Sequence, residues 1–398
     1  MRTVIVGASL GGLRTAQAIR AAGLEDSIIL IGAEPVLPYD RPPLSKGFLR
    51  GENDAGDLAL ISRDELARLD VDLRLATTAT GLDITRQVVE LDGGTSVAYD
   101  ALVIATGCRP RTLPGAGYLN TLRTLDDGMV LRDRLARSAS LTVVGGGFIG
   151  SEIAATAQGL GLAVTIVEPA AGLMVRAVGE VIGEHLTELH RRRGIDVRTG
   201  AGVRELSPGP AGHRIRLTDG SIITAGTIVA GIGAIPATGW LEGSGLRLAD
   251  GVVCGPDLRA DGTTNVFAVG DVARWRHPRY PRDVRAEHWT AVAEHARVVA
   301  ANLAGGHTVA DSLPYVWSDQ FGARLQIAGA VPPDPTVEYA AGGPGSERFV
   351  ALLTDGTGVQ AVAARGALRE FLAHRGELDR RTAVTGPSEP GRAPVTRA

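Results

Sequence analysis

Cysteine is scarce in this chain of 398 residues, and the shortage limits the redox and metal chemistry open to its side chains. The two cysteines, Cys108 and Cys254, lie far apart in the sequence. Their separation excludes a CxxC or CxxxxC redox pair and a cysteine-rich metal site. We therefore predict two packed thiols and no metal site.

The chain also lacks long apolar runs, a signal-like N-terminus and a net positive charge. No uninterrupted apolar run reaches the roughly 18 residues that a membrane-spanning helix needs. The formal net charge is -3 and the isoelectric point is about 6.3, so no overall positive field is available to hold nucleic acid or an anionic membrane. These absences predict a soluble cytoplasmic protein with no nucleic-acid partner and no membrane partner.

Two parts of the chain repeat the order strand, glycine turn, helix, strand. In the first part these elements are predicted at residues 3–6, 7, 13–22 and 28–31. In the second part they are predicted at residues 141–144, 145–150, up to 157, and 164–167. A strand–helix–strand unit of this kind forms parallel pairs, so the fold class predicted is α/β with two Rossmann-like dinucleotide-binding domains.

The domain order follows from two further buried strands that end in small-residue turns, at 102–107 and 231–236. They bracket a segment that we interpret as an insertion into a discontinuous first domain. The remainder contains strand-like stretches at 325–330 and 349–353 and a helical stretch at 367–374, which predict a small α+β C-terminal domain. The predicted bounds are 1–108 with 237–308, 109–236, 309–379, and a disordered tail over 380–398.

The two glycine turns have the spacing of dinucleotide sites. The first contains Gly7, Ser9, Gly11 and Gly12, so serine replaces the second glycine of GxGxxG, and Glu34 follows Gly12 by 22 residues. The second contains Gly145, Gly147 and Gly150, and Glu168 follows Gly150 by 18 residues. Glycines let phosphate approach a helix N-terminus, and the carboxylate accepts hydrogen bonds from ribose. A glycine turn formed only for packing is the alternative for the first loop.

Several motifs resemble one known family. They are Pro38-Tyr-Asp-Arg-Pro-Pro-Leu-Ser-Lys46, Ala105-Thr-Gly107, Thr264-Asn-Val-Phe-Ala-Val-Gly-Asp271, Glu287-His-Trp289 and Trp317-Ser-Asp-Gln320. With both glycine loops, they make the chain similar to the FAD-dependent NADH:ferredoxin reductases from residue 1 to about residue 375. The resemblance implies a glutathione reductase-type fold with FAD in the first domain and NADH in the insertion. It also implies a ferredoxin-type iron-sulfur partner that feeds a cytochrome P450 or a dioxygenase.

By this resemblance, Asp271 contacts the ribityl chain of FAD, and Arg41 and Arg123 contact its pyrophosphate. The other residues expected at FAD are Gly7, Ser9, Gly11, Gly12, Glu34, Lys46, Ala79, Ala105, Thr106, Gly107, Gly270, His288, Trp289 and Trp317. Each assignment has a plainer alternative: Asp271 as a helix N-cap, the arginines as solvated surface residues and the tryptophans as core.

Lys46 is the only lysine among 41 basic residues, which indicates a specific role for it. The resemblance places its ammonium on the N5 side of the flavin, paired with Glu152, where positive charge stabilises the reduced ring. The alternative is a solvated ion pair. Hydride transfer between nicotinamide and flavin depends on alignment, so no general base is expected.

The residues expected at NADH are Gly145, Gly147, Phe148, Ile149, Gly150, Glu152, Glu168 and Gly233. Glu168 should accept a hydrogen bond from a free 2'-hydroxyl and repel a 2'-phosphate, so we predict a preference for NADH over NADPH. Arg176 lies downstream and could weaken that preference.

The electron acceptor is predicted from the cysteines and arginines of the chain. No cysteine pair follows the first strand–helix–strand unit, so electrons are expected to leave the flavin directly. Five arginines lie between Arg274 and Arg285, and Arg297 follows, so an acidic ferredoxin could dock there; an arginine-rich solvated loop is the alternative. The competing functions are an NADH oxidase or apoptosis-inducing-factor-like flavoprotein, and a flavin-bound interaction protein with incidental redox activity.

Overall fold

The computed structural model describes residues 1–113, 119–209, 212–280 and 282–382. Helices in these ranges are α1 Leu10–Ala21, α2 Gly47–Arg50, α3 Arg63–Arg68, α4 Leu125–Ala136, α5 Phe148–Gly159, α6 Val175–Arg192, α7 Trp289–Leu303 and α8 Leu368–Thr382. Short 3₁₀ turns span Pro42–Ser45, Gly56–Leu58, Asp92–Gly94, Gly239–Leu241 and Gly270–Val272.

Strands are more numerous and form seven sheets in the described ranges. They are β1 Arg2–Val6, β2 Ser27–Ile31, β3 Val71–Arg74, β4 Ala79–Asp83, β5 Val88–Leu91, β6 Ser96–Ala98, β7 Ala101–Ile104, β8 Cys108–Pro110, β9 Ser140–Val144, β10 Ala163–Glu168, β11 Asp196–Thr199, β12 Val203–Gly209 and β13 Gly212–Leu217. The remainder are β14 Ile222–Ala225, β15 Thr227–Ala230, β16 Ala234–Pro236, β17 Val252–Cys254, β18 Val266–Ala268, β19 Ala273–Arg276, β20 Asp283–Val284, β21 Tyr315–Gln320, β22 Ala323–Gly329, β23 Thr336–Ala341, β24 Phe349–Asp355 and β25 Gly358–Arg365.

The first parallel sheet has the strand order β18-β7-β1-β2-β3. Its central strands are continuous apolar runs because both faces are buried, and Val4, Ile5, Leu102 and Val103 are fully buried. Carboxyl ends of parallel strands meet at one edge of a sheet. The turns after β1, β7 and β18 therefore lie together.

The second parallel sheet has the order β11-β10-β9-β15 and repeats this arrangement. Helix α5 connects β9 to β10, and the turns after β9, β10 and β15 share an edge. Strands β8 and β16 pair antiparallel where the chain passes between the two sheets. This ribbon supports our proposal that residues 109–236 are inserted between 1–108 and 237–308.

The C-terminal sheet is antiparallel, with the order β21-β22-β25-β24-β23, and α8 packs against β25 and β22. The predicted α/β class, with two Rossmann-like domains and a small α+β domain, is confirmed. Helix α8 continues to Thr382, so the prediction of disorder was wrong for residues 380–382, and 383–398 lie outside the described residues. Within the described part of the chain, no helix is long and apolar enough to cross a membrane.

Candidate functional site

The first glycine loop is held tightly against the turn that follows β7. Gly7 has φ +116°, and a Cβ on it would lie 2.2 Å from the carbonyl oxygen of Ala105. A Cβ on Gly12 would lie 2.0 Å from the carbonyl oxygen of Gly7, and one on Gly11 would contact Ala105 at 3.4 Å. Only glycine fits at positions 7 and 12, so the turn presents the N-terminus of α1 at the sheet edge.

Glu34 lies just beyond β2 and organises the polar groups beside this loop. Its Oε1 accepts a hydrogen bond from Arg41 at 2.6 Å, and its Oε2 accepts one from the hydroxyl of Tyr39 at 2.6 Å. Arg41 also donates from Nε to Ser9 Oγ at 3.2 Å. The structure thus joins three predicted site residues, and Arg41 is a paired, mostly buried side chain rather than a solvated one.

Arg123 continues this polar chain toward the turn after β18. Its carbonyl oxygen accepts a hydrogen bond from Arg41, and its Nη2 lies 3.2 Å from Oδ2 of Asp271. Asp271 lies in the 3₁₀ turn Gly270–Val272, whose N-cap is Val269, so the N-cap alternative for Asp271 was wrong. A Cβ on Gly107 would meet Arg123 Nη2 at 3.0 Å, so glycine gives the guanidinium room.

The remaining small residues expected at FAD occupy two different places. Thr106 donates from Oγ1 to the carbonyl oxygen of Ala237 at 3.0 Å, at the edge shared with the glycine loop. Ala79 instead begins β4 in a separate antiparallel sheet and packs against the first hydrophobic core.

Lys46 and Glu152 form a buried ion pair between the first and second glycine-loop regions. Lys46 Nζ lies 2.6 Å from Glu152 Oε2, and the two side chains are 16% and 4% exposed. Lys46 also donates to the carbonyl oxygen of Pro42 at 2.9 Å, and Ser45 Oγ donates to Glu152 Oε2 at 2.6 Å. The alternative of a solvated pair was therefore wrong.

The C-terminal sheet supplies the other half of the Glu152 environment. Ser318 Oγ donates to Glu152 Oε1 at 2.8 Å, and the backbone N–H of Asp319 donates to the same oxygen at 3.1 Å. Sequence reasoning missed Ser45, Ser318 and Asp319 in this role, although all three lie in motifs that carried the family resemblance. Four donors from two separate parts of the chain thus converge on one buried carboxylate, which fixes its position.

An aromatic group lies where α7 begins and β21 passes. The rings of Trp289 and Trp317 meet edge to face at 5.9 Å, and Trp317 stacks on Tyr315 at 6.1 Å. Trp289 is 38% exposed, so it is not a core residue, and its Nε1 donates to Oδ1 of Asp40 at 2.9 Å. Burial raises the pKa of the Asp40 carboxyl, and the bond from Trp289 opposes that change.

His288, the N-cap of α7, links the aromatic group to the second glycine loop. Its ring meets Phe148 edge to face at 6.5 Å. Burial lowers the pKa of His288, which favours the neutral imidazole.

The second glycine loop differs from the first at its middle position. A Cβ on Gly145 would lie 2.4 Å from the carbonyl oxygen of Gly231, and a Cβ on Gly150 would lie 2.0 Å from the carbonyl oxygen of Gly145. Packing therefore requires glycine at both positions. Gly147, the N-cap of α5, has ordinary extended angles, φ -74° and ψ -170°. A Cβ there would approach Gly231 O only to 3.9 Å. The space above Gly147 therefore suits a ligand group at a helix N-terminus.

Glu168 ends β10 beside this loop, and backbone amides hold its carboxylate. Gly146 donates to Oε2 at 2.6 Å and Ala170 donates to Oε1 at 2.9 Å. Each carboxylate oxygen has a second lone pair, so the residue can still accept from a ligand. Ile149, in the first turn of α5, is 44% exposed. Gly233 lies at the same sheet edge, and a Cβ on it would stand 3.9 Å from Arg176 Nη1.

The structure weakens the predicted arginine-rich docking surface. Four of its five arginines pair with carboxylates of this chain: Arg274 and Arg276 with Asp283, Arg279 with Asp379, and Arg285 with Asp250 and Glu287. These partners offset most of the positive charge that an acidic protein would meet there.

Both cysteines are buried free thiols. Burial raises the pKa of Cys108 to about 12 and also raises that of Cys254, so neither is a reactive thiolate at neutral pH. In the described ranges, no group of three or more His, Cys, Asp or Glu residues is arranged to hold a metal ion.

The family comparisons agree with this architecture. Residues 1–296 match the pyridine nucleotide-disulphide oxidoreductase family, and residues 315–388 match the reductase C-terminal family. The chain is 38% identical over 379 residues to the ferredoxin--NAD(+) reductase subunit of the benzene 1,2-dioxygenase system of Pseudomonas putida, which covers 93% of this chain and 91% of the relative.

Solved structures give the same result. The covalent putidaredoxin reductase–putidaredoxin complex matches with a TM-score of 0.90 and 33% identity, covering 96% of this chain and 93% of that chain. The ferredoxin reductase for the CYP199A2 system from Rhodopseudomonas palustris matches with a TM-score of 0.91 and 30% identity, covering 96% of both chains. The chain therefore belongs to the pyridine nucleotide-disulphide oxidoreductase family and, within it, to the family of ferredoxin--NAD(+) reductases that its motifs predicted.

Proposed function

We propose that this chain is an FAD-dependent reductase that takes hydride from NADH and passes single electrons to a ferredoxin-type iron-sulfur protein. That partner would in turn feed a cytochrome P450 or a dioxygenase, as in the systems named for the relatives. The observation that carries the proposal is the buried Lys46–Glu152 pair. Lys46 follows the first loop in sequence and Glu152 lies on the helix that the second loop begins, so the pair connects the two dinucleotide-binding regions.

FAD is the dinucleotide that best fits the first loop. The N-terminus of α1 would take its pyrophosphate, with Arg41 supplying positive charge. Glu34 would accept from the ribose hydroxyls, and Asp271 from the ribityl chain. These groups are linked from Glu34 through Arg41 and Arg123 to Asp271, so the residues that would hold FAD form one continuous polar chain.

NADH is the dinucleotide that best fits the second loop. The open space above Gly147 would take its pyrophosphate, and Glu168 would accept from the 2'-hydroxyl of its adenosine. A 2'-phosphate would face a fixed carboxylate, so we expect NADH to be preferred. Steady-state kinetics with both donors measure this preference, and a higher kcat/KM with NADPH would contradict it.

FAD, when bound, would supply the redox chemistry that connects a two-electron donor to a one-electron acceptor. The chain's residues provide position and charge. Glu152 holds the Lys46 ammonium in one place, where its fixed positive charge favours the more negative state of a neighbouring ring. Four donors restrain the Glu152 carboxylate, so little reorganisation is needed when charge arrives.

The partner would approach the exposed aromatic group. Trp289 is held by Asp40 yet reaches solvent, and two guanidinium groups lie over neighbouring rings: Arg324 at 5.6 Å from Trp317 and Arg375 at 4.7 Å from Tyr315. Arg324 is paired with Asp319, so the positive charge offered to a small acidic protein at this apolar centre comes from Arg375. Replacing Arg375, which lies outside the residues expected at either dinucleotide, by alanine should raise the KM for ferredoxin while leaving flavin reduction by NADH unchanged.

Anaerobic stopped-flow mixing with NADH tests the main proposal. We expect rapid bleaching of the bound flavin, followed by cytochrome c reduction that requires added ferredoxin. K46M should slow the bleaching, whereas R50M should not, because Arg50 and its partner Glu52 form an exposed ion pair nearby in the sequence. Oxygen consumption that outpaces ferredoxin reduction would instead identify an NADH oxidase, and negligible bleaching would identify a flavin-bound interaction protein.

A further inference from the structure

The turn that carries Asp271 begins at a buried glycine in the left-handed region, whose N–H needs an acceptor. Gly270 has φ +74° and is buried; it directly follows Val269 at the edge of the first sheet. A buried backbone N–H must find an acceptor, or the conformation that buries it becomes unfavourable. The acceptor here comes from a side chain and not from the sheet.

That acceptor is His295, which is 0% exposed on α7. The N–H of Gly270 donates to His295 Nδ1 at 3.2 Å. Because an N–H donor requires a lone pair on Nδ1, the proton of the neutral ring must lie on Nε2. Burial lowers the pKa of His295 to about 3, so Nδ1 keeps its lone pair at neutral pH.

Packing alone does not account for histidine at this position. The ring meets Trp275 edge to face at 4.6 Å, a contact that an apolar side chain could also make. His295 Nε2 is buried and has no hydrogen-bond partner among the described residues, which is unfavourable. A leucine would avoid that penalty, so the bond from Gly270 to Nδ1 is the feature that the imidazole provides and an apolar side chain lacks.

Three other groups contact the neighbouring Asp271: Cys108 Sγ, which lies 3.5 Å from its carbonyl oxygen, and two arginines. Arg123 pairs with its carboxylate, and Arg285 Nη1 lies 3.5 Å from its carbonyl oxygen. Both arginines contact Asp271 from residues outside the turn. His295 is the side chain that fixes the turn through the preceding residue, Gly270, and so sets the direction in which Asp271 leaves the sheet.

We propose that His295 is a positioning residue for FAD: by accepting from Gly270 it holds the Asp271 carboxylate where it can bind the ribityl chain. The inference rests on the proposed function in one respect, namely that FAD occupies the first loop. His295 itself touches neither dinucleotide in this scheme, and it acts through Gly270 and Asp271.

Two substitutions separate the hydrogen bond from the packing. H295L keeps an apolar side chain of similar size but removes the acceptor. H295N loses the ring contact with Trp275 but offers Oδ1 near the former position of Nδ1. H190L is the matched control, because His190 is also buried, meets Phe321 edge to face at 5.0 Å, and lies on α6 outside the first sheet.

The primary measurement is the dissociation constant of FAD, from flavin fluorescence on release from each purified holoprotein. Urea unfolding gives the stability of each variant. We expect H295L to bind FAD at least about tenfold more weakly, H190L to bind it like wild type, and H295N to stay within about threefold of wild type despite a larger loss of stability. The NADH and ferredoxin reactions play no part in this readout.

Hydrogen exchange of the peptide that spans residues 266–273 gives a second readout, which needs no variant to fold. The Gly270 amide should exchange slowly in the wild-type holoprotein, and rapid exchange would overturn the inference. The inference would also be overturned if the FAD affinities of H295L and H295N fell together in proportion to their stabilities, because packing would then explain both losses of affinity. A wild-type protein that binds no FAD would instead overturn the proposed function.

Discussion

Replacing Gly147 by alanine should separate cofactor binding from folding. The residue has extended angles that alanine adopts readily, and the added Cβ would meet only Gly231 O, at 3.9 Å. The fold should lose about 0.5–1 kcal/mol, since alanine is a poorer N-cap than glycine. The same methyl group would occupy the space where the NADH pyrophosphate approaches α5. A displacement of about 1 Å can cost up to a hundredfold in rate, so we expect kcat/KM for NADH to fall about tenfold to a hundredfold.

Two control variants calibrate this result. In G150A the Cβ would lie 2.0 Å from Gly145 O, so the loop itself must move and stability should fall well below that of G147A. In G159A, at the other end of α5, the added Cβ would meet nothing within 4 Å, so kcat/KM for NADH should be unchanged. Urea unfolding and NADH-dependent ferricyanide reduction measure the two effects. An unchanged kcat/KM in G147A, or destabilisation as large as that of G150A, would refute the reasoning.

Three further results are expected. E152Q should lower the free energy of unfolding by about 3 kcal/mol. Donors that include Lys46 now approach both carboxylate oxygens of Glu152, whereas glutamine offers only one acceptor oxygen. A urea-measured loss below about 1 kcal/mol would contradict this prediction. E168A should narrow the preference for NADH over NADPH, measured as the ratio of kcat/KM values, and an unchanged ratio would count against it. Burial lowers the pKa of His190 to about 4 and that of His295 to about 3, below the unfolded value. The contribution of these two neutral histidines to the free energy of unfolding is therefore complete above about pH 6.5 and is lost as the pH falls. Stability should drop by about 1.4 kcal/mol per pH unit for each histidine near pH 5, and H190L should reduce that slope.

Local patterns made much of the fold predictable. Glycines at 7, 12, 145 and 150 are required by contacts within a few residues or with an adjacent strand end, so their spacing carries the information. Glu34 and Glu168 follow from the same spacing, because Glu34 comes just after the second strand of its unit and Glu168 ends the second strand of its own. These features depend on short-range geometry, which a sequence expresses directly.

Long-range partners could not be predicted in the same way. Ser318 reaches Glu152 across 166 residues, and His295 reaches Gly270 from another helix, so neither contact has a local signal. The arginine-rich stretch shows the opposite error. Its charges looked available for a partner, but carboxylates such as Asp250 and Asp379, distant in sequence, neutralise them in the folded chain. Charge counted along a sequence says little about charge on a surface.

The hydrogen bonds to Glu152 also have a consequence for biosynthesis. Lys46 leaves the ribosome first, Glu152 follows 106 residues later, and Ser318 appears a further 166 residues on. Domains generally fold in order as they emerge. The nascent protein therefore carries a carboxylate that lacks half of its donors until the last sheet arrives. A ribosome that stalls before β21 would release a product with this defect at its centre, which quality-control proteases could distinguish from the finished enzyme.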